Sequence, residues 1–242
     1  MVTRKEVIIM AKKYLDYNPY RANGTKKQQF VEALQSTEDY QKVINYLSSK
    51  KNKRNLCIFI FGTSFGMRIT DLINLKWKYV LNEDLSIKDS MWIQESKRKR
   101  VKEIKFNPLV KKVIALYIQS LEEQKKSFQR DYLGNLLPIQ ISLEKYMFPS
   151  QKGHDQPMTV PNACRLFKKI FADAGVDPSH NYCTHTMRKT TGKTLYDQGY
   201  DVWEISKLLG HSSMQETLCY IGVTKQKIGK MYEGLFNEIH LE

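Results

Sequence analysis

The stretch LLGHSSMQETLCYIGV, residues 208–223, contains a helix end, a turn and a helix start. Gly210 closes an apolar-periodic run. Ser213 and Glu216 then give the S-x-x-E pattern of a capping box, in which hydroxyl and carboxylate each take an orphan backbone N–H of the new helix. His211 falls in the turn and Tyr220 about two turns into the helix. Alone, such a pair is a loop histidine and a core tyrosine, and the chain has 14 tyrosines. The residues that keep company with them upstream decide the matter.

Moving back from this stretch, DVWEISKLL (201–209) is opened by Asp201 with Glu204, and HTMRKTTGKTLYDQ (185–198) is closed by Gly199. Thr159 with Pro161 opens a further helix that ends at Gly175. Asn107-Pro108 starts another, with Leu109, Val113, Leu116 and Ile118 as its expected buried face. Before it, residues 78–106 hold the β-prone stretches YVL, SMWIQ and EIKF, split by NED and KRKR, which predict a small antiparallel sheet. TEDYQKVINYL and NLCIFIFGTSF read as two helices separated by a basic run, the second ending at Gly66. ITDLINLKW has the spacing of a short helix through Ile69, Leu72 and Leu75, so Arg68 sits at the turn before it. The expected fold is mainly α with a small antiparallel β-sheet. Residues 1–35 read as a tail or linker, and 223–242 as an amphipathic helix with Ile228, Met231, Leu235 and Ile239 on one side.

Composition narrows the function. The chain has 242 residues, 41% of them apolar, which suits a globular protein. Thirty-nine Lys and Arg against 25 Asp and Glu leave a net charge of +14, which makes a polyanion the first partner to consider. No apolar run approaches the roughly 18–20 residues of a membrane span, and the N-terminus carries no cleavage site. We read the protein as cytoplasmic. The four cysteines, Cys57, Cys164, Cys183 and Cys219, have no paired spacing, which argues against a disulfide framework or a zinc ribbon. His180, Cys183 and His185 lack a fourth ligand at a familiar spacing. Gly192-Lys193-Thr194 imitates the end of a phosphate loop, but Met187 stands where that loop needs a glycine. Nucleotide binding by that route is excluded.

His185 and Arg188, three apart on a helix, share a side of it. With Arg68, a hairpin lysine at Lys97, His211 and Tyr220 they make the inventory needed to attack a phosphodiester without a metal. A phenol of pKa near 10 costs roughly 4 kcal/mol to ionise at pH 7, so it needs cations and a base beside it. Planar guanidinium groups match the nonbridging oxygens on which charge develops. A lysine on a hairpin can protonate the departing 5′-oxygen once neighbouring cations depress its pKa.

GMRITDLINLKW, THTMRKTTGKTLYDQG and LLGHSSMQETLCY resemble, in order, the boxes of the tyrosine recombinases, the phage integrase family, over about residues 36–222. The resemblance implies Tyr220 as nucleophile and Arg68 and Arg188 as phosphate clamps. It further implies Lys97 as leaving-group acid, His185 as general base or acid, and His211 as a hydrogen-bonding partner of the phosphate. It implies a site-specific recombinase that cuts and rejoins double-stranded DNA through a 3′-phosphotyrosyl link with no metal, ATP or other cofactor. The partners it implies are two duplexes and four protomers, with the final helix docking on a neighbour and a monomer when free.

Lys189 stands where many relatives have a second histidine, Lys99, Lys102 and the neighbouring arginines leave the hairpin register open against Lys97, and residues 125–145 resemble an insertion. Relatives usually carry a helical DNA-clamping domain, for which a tail of 35 residues is too short. The basic runs at 49–54, 97–105 and Lys111-Lys112 are expected to track a DNA backbone. Rival readings are a type IB topoisomerase-like relaxase with the same residues, a catalytically silent DNA-binding regulator of this fold, and an RNA-binding basic protein.

Overall fold

The computed structural model describes residues 31–97, 99–126, 141–150 and 156–221. In chain order these hold α1 (Thr37–Ser48), α2 (Arg54–Phe65), α3 (Ile69–Ile73), a 3-10 turn (Trp77–Tyr79), β1 (Ser90–Gln94), β2 (Val101–Lys105), α4 (Pro108–Lys126), α5 (Val160–Asp173), α6 (Thr184–Asp197), α7 (Val202–Leu209) and α8 (Met214–Ile221). The expected architecture, mainly α with a small antiparallel sheet, is the observed one, and among the described residues that sheet has two strands, β1 and β2.

α2 explains the arrangement. Its sequence is apolar all round, and Leu56 through Phe61 and Phe65 are buried, as a helix without a polar face must be. α1, α3, α4 and α6 pack around it. The segment after residue 140 closes one side: Met147 donates its N–H to the Leu75 carbonyl (2.8 Å), and Phe148 packs edge-on to Phe61 and stacks on Tyr117. Caps fall where the sequence put them. Thr159 Oγ1 accepts from Asn162, Asp201 and Glu204 form a reciprocal box, and Ser213 Oγ accepts from Glu216 N–H. The Glu216 carboxylate accepts from the Ser212 N–H.

Several local expectations are corrected. YVL is no strand. Val80 and Leu81 donate their N–H groups back to the Trp77 carbonyl, and the buried indole of Trp77 holds this 3-10 turn against the β-propensity of the segment. β2 begins at Val101, two residues before EIKF. The buried face of α4 is Val110, Val113, Ile114 and Tyr117, with Leu109 46% exposed, because Asn107 caps at Val110 N–H and turns Leu109 outward. Gly192 is an internal α6 residue facing Leu209 and Ile221, so the phosphate-loop imitation is a packing site.

The described residues belong to one unit, Val31–Ile221. Residues 31–35, within the stretch read as a tail, are tied to it by the bonds Glu32 N–H to Asn181 O and Leu34 N–H to Thr190 Oγ1, both 3.0 Å. Most of the expected tail, the larger part of the 125–145 insertion and the amphipathic stretch with Ile228, Met231, Leu235 and Ile239 lie outside the described residues. No helix among the described residues is long and apolar enough to cross a membrane.

Candidate active site

Two glycine turns shape the site. Gly66 ends α2 with φ 57° and Gly210 ends α7 with φ 63°, left-handed conformations open to glycine at little cost. A Cβ on Gly66 would stand 2.6 Å from Leu209 Cδ2, and one on Gly210 would stand 2.9 Å from Glu95 Oε2. Each turn therefore also serves as a contact surface.

Arg188, in the first half of α6, is 2% exposed. Its Nη1 donates to the Gly66 carbonyl and its Nη2 to the Leu209 carbonyl. These carbonyls lie at the C-terminal ends of α2 and α7, where the helix dipole leaves partial negative charge. The guanidinium plane is thus fixed by three helices at once.

Arg68 is the N-cap of α3 in extended backbone, and its carbonyl accepts from Asp71 and Leu72 at 3.0 Å. Its Nη1 lies 3.6 Å from Glu95 Oε1. That nitrogen is buried and makes no hydrogen bond among the described residues.

His185 is at the start of α6 with an exposed surface. Its imidazole is pushed below the ordinary 6.5, first by lost solvation around the ring and then by the charges of Arg188, Lys189 and Arg68. The neutral, basic form is favoured, and the same cations show that His185 shares the field of both arginines. His211 follows the Gly210 turn with its side chain buried. Its Nδ1 meets Thr217 Oγ1 at 2.9 Å, and its backbone N–H donates to Ser206 O at 2.9 Å. Tyr220 belongs to α8, which packs on α6 and α7; its side chain is outside the described part of the structure.

Lys97 stands exposed in the hairpin turn, and no hydrogen bond or ion pair joins it to the other site residues among the described residues. Lys102 is the hairpin lysine held in the cluster. Its Nζ lies 3.5 Å from Glu95 Oε1 and donates to Leu208 O at 3.4 Å. Its ammonium pKa is lowered by burial, an effect opposed by Glu95 and reinforced by Arg188 and Arg100. Arg100 Nη1 reaches Lys207 O at 3.5 Å, and Asp71 Oδ1 accepts the Ser96 N–H at 3.0 Å, tying the hairpin turn to α3.

Sequence reading missed Glu95 and Asp71, and it offered Lys102 only as an alternative to Lys97 in the hairpin register. One signal for Glu95 was available. Met91 and Ile93 point inward, so strand alternation carries Glu95 to the same face.

Residues 33–227 match the phage integrase family. The chain belongs to that family. Its homologues include tyrosine recombinases. It is 31% identical over 208 residues to the probable integrase/recombinase YoeC of Bacillus subtilis (strain 168), covering 85% of this chain and 98% of YoeC. It is 24% identical over 236 residues to the tyrosine recombinase XerC of Bacillus licheniformis, covering 93% of this chain and 68% of that protein. The phage integrase fold is also that of solved structures. XerA recombinase superimposes with a TM-score of 0.58 at 20% identity, covering 95% of this chain and 73% of that one. XerH recombinase bound to its difH substrate gives 0.52 at 17% identity, covering 95% and 63%.

Proposed function

We propose that the protein is a site-specific DNA recombinase that cuts and rejoins double-stranded DNA through a 3′-phosphotyrosyl intermediate. The observation that carries this reading is the convergence of Arg68, Arg188, His185 and His211 at the C-terminal turns of α2 and α7, beside the helix that carries Tyr220. Family membership supports it independently.

In the proposed reaction the Tyr220 phenol oxygen attacks phosphorus, its proton passes to neutral His185, and the bond from phosphorus to the 5′-oxygen breaks. Arg68 and Arg188 take the charge that grows on the nonbridging oxygens, where preorganised donors contribute most. His211 hydrogen-bonds to the phosphate, and a hairpin lysine, Lys97, protonates the leaving 5′-oxygen. The phosphodiester is kept as a phosphotyrosine ester, so the 5′-hydroxyl of a partner strand can reverse the step without ATP. Two duplexes and four protomers complete the proposed exchange.

A pool of nicked suicide duplexes of randomised sequence tests this, since cleavage near the nick releases a short 5′-hydroxyl fragment and strands the enzyme on DNA. The expected result is a covalent adduct that survives denaturation with the wild type and is absent with Tyr220→Phe. Tight duplex binding by both proteins with no adduct would show a DNA-binding regulator instead.

A further inference from the structure

We propose that Glu95 is a positioning residue for the phosphate clamp, its buried carboxylate orienting Arg68 and Lys102 while leaving Arg68 Nη1 unspent for an incoming phosphate. This rests on the recombinase reading above and adds to it a residue of opposite charge.

The Glu95 side chain is 3% exposed, on the face of β1 that also carries Met91 and Ile93. Burying a carboxylate in such company costs several kcal/mol unless cations compensate. Two do, Arg68 at 3.6 Å and Lys102 at 3.5 Å. Both distances exceed the roughly 2.7–2.9 Å of a formed charge-assisted bond. The attraction therefore gives direction without consuming the donor: among the described residues Arg68 Nη1 has no hydrogen bond, and neither has Glu95 Oε2.

Glu95 itself cannot drift. Its N–H donates to Arg100 O at 2.9 Å and its carbonyl accepts from Lys99 N–H at 2.8 Å, which pins it at the neck of the hairpin. The Gly210 turn closes over its carboxylate. One carboxylate thus sits between the N-cap of α3, the hairpin and the end of α7, the three elements that supply Arg68, the hairpin lysines and His211. A residue serving only to hold the fold would be expected to spend both oxygens on short bonds. One acting as a stand-in for phosphate would compete with DNA, and its removal would speed cleavage.

The test uses the duplex sequence recovered from the suicide pool. Single-turnover cleavage is measured for wild type, Glu95→Gln, Arg68→Ala and the double variant, and noncovalent affinity is measured in a Tyr220→Phe background. Glu95→Gln is expected to slow cleavage by about tenfold or more while changing affinity by less than about twofold, the signature of an interaction felt in the transition state alone. In the Arg68→Ala background Glu95→Gln is expected to cost less than it does alone, because a residue acting in part through another is non-additive with it. Cleavage at the wild-type rate or faster overturns the proposal, as does an additive double variant. Equal loss of affinity and cleavage in both Glu95→Gln and the apolar Glu95→Met marks a residue that only holds the fold, and also overturns it. A wild type that forms no adduct overturns the recombinase reading and this proposal together, whereas an adduct at full rate in Glu95→Gln removes this proposal alone.

Discussion

His185 carries the clearest pH consequence. Its folded-state pKa lies below the ordinary 6.5 because lost solvation, Arg188, Lys189 and Arg68 all disfavour imidazolium. A base with a depressed pKa stays neutral further into acid, so its contribution to folding stability is complete above pH 6.5 and declines as pH falls below it. With His185 as the general base, adduct formation should hold level through pH 6.5 and fall only at lower pH. Lys189→Gln removes one of those charges and should move that acid limb upward, measurable as single-turnover rate against pH in both proteins. An unmoved limb would contradict the assignment. At this scale the positions of the proposed site residues were legible because short motifs placed them: a turn before α3 for Arg68, one face of α6 for His185 and Arg188, a capped turn for His211. Glu95 was not, since its partners are separated from it in sequence, Arg68 by 27 positions and Lys102 by the hairpin turn.

Among the elements, the hairpin is where sequence and structure divide the work differently. KRKR and the strands around it were readable, but not which lysine the site holds, because that depends on strand register. The pairing Ile93 with Lys102 sends the Lys102 side chain inward toward Glu95, while Lys97 rides in the exposed turn. A general acid is dispensable when the leaving group needs no proton. A substrate with sulfur in place of the bridging 5′-oxygen should therefore restore cleavage by the variant that lacks the acid and leave the other variant unrescued. Lys97→Ala is expected to be the rescued one, and rescue of Lys102→Ala instead would move the role to the buried lysine. The one-position phase error on α4 has a similar source. Apolar spacing gave the helix, but the Asn107 cap set its rotation, leaving Leu109 outside and Val110 within.

For the molecule as a whole, the net charge of +14 is a statement about association rather than about fold. A duplex footprint that neutralises about six phosphates should lose on the order of a thousandfold in affinity between roughly 50 and 200 mM salt. A titration of noncovalent binding by Tyr220→Phe at several salt concentrations measures the slope, and a flat response would remove the backbone-tracking role of the basic runs. The helical order of the chain was legible because caps and glycine stops punctuate it. What sequence did not convey is that α2 is the hub: an apolar run marks a buried helix but not its neighbours, and only the wrapping of α1, α3, α4 and α6 around it settles its place.

Arg188 ties the ends of α2 and α7 through their last carbonyls. A guanidinium bound in that way is a keystone as well as a ligand. In the proposed reaction, tension applied to it by a captured anion would pass straight into the central helix, and loosening of either helix end would unaim the clamp. Under the proposed reaction, catalytic precision and mechanical integrity in this scaffold are therefore one property, and tuning one by substitution at α2 or α7 would retune the other.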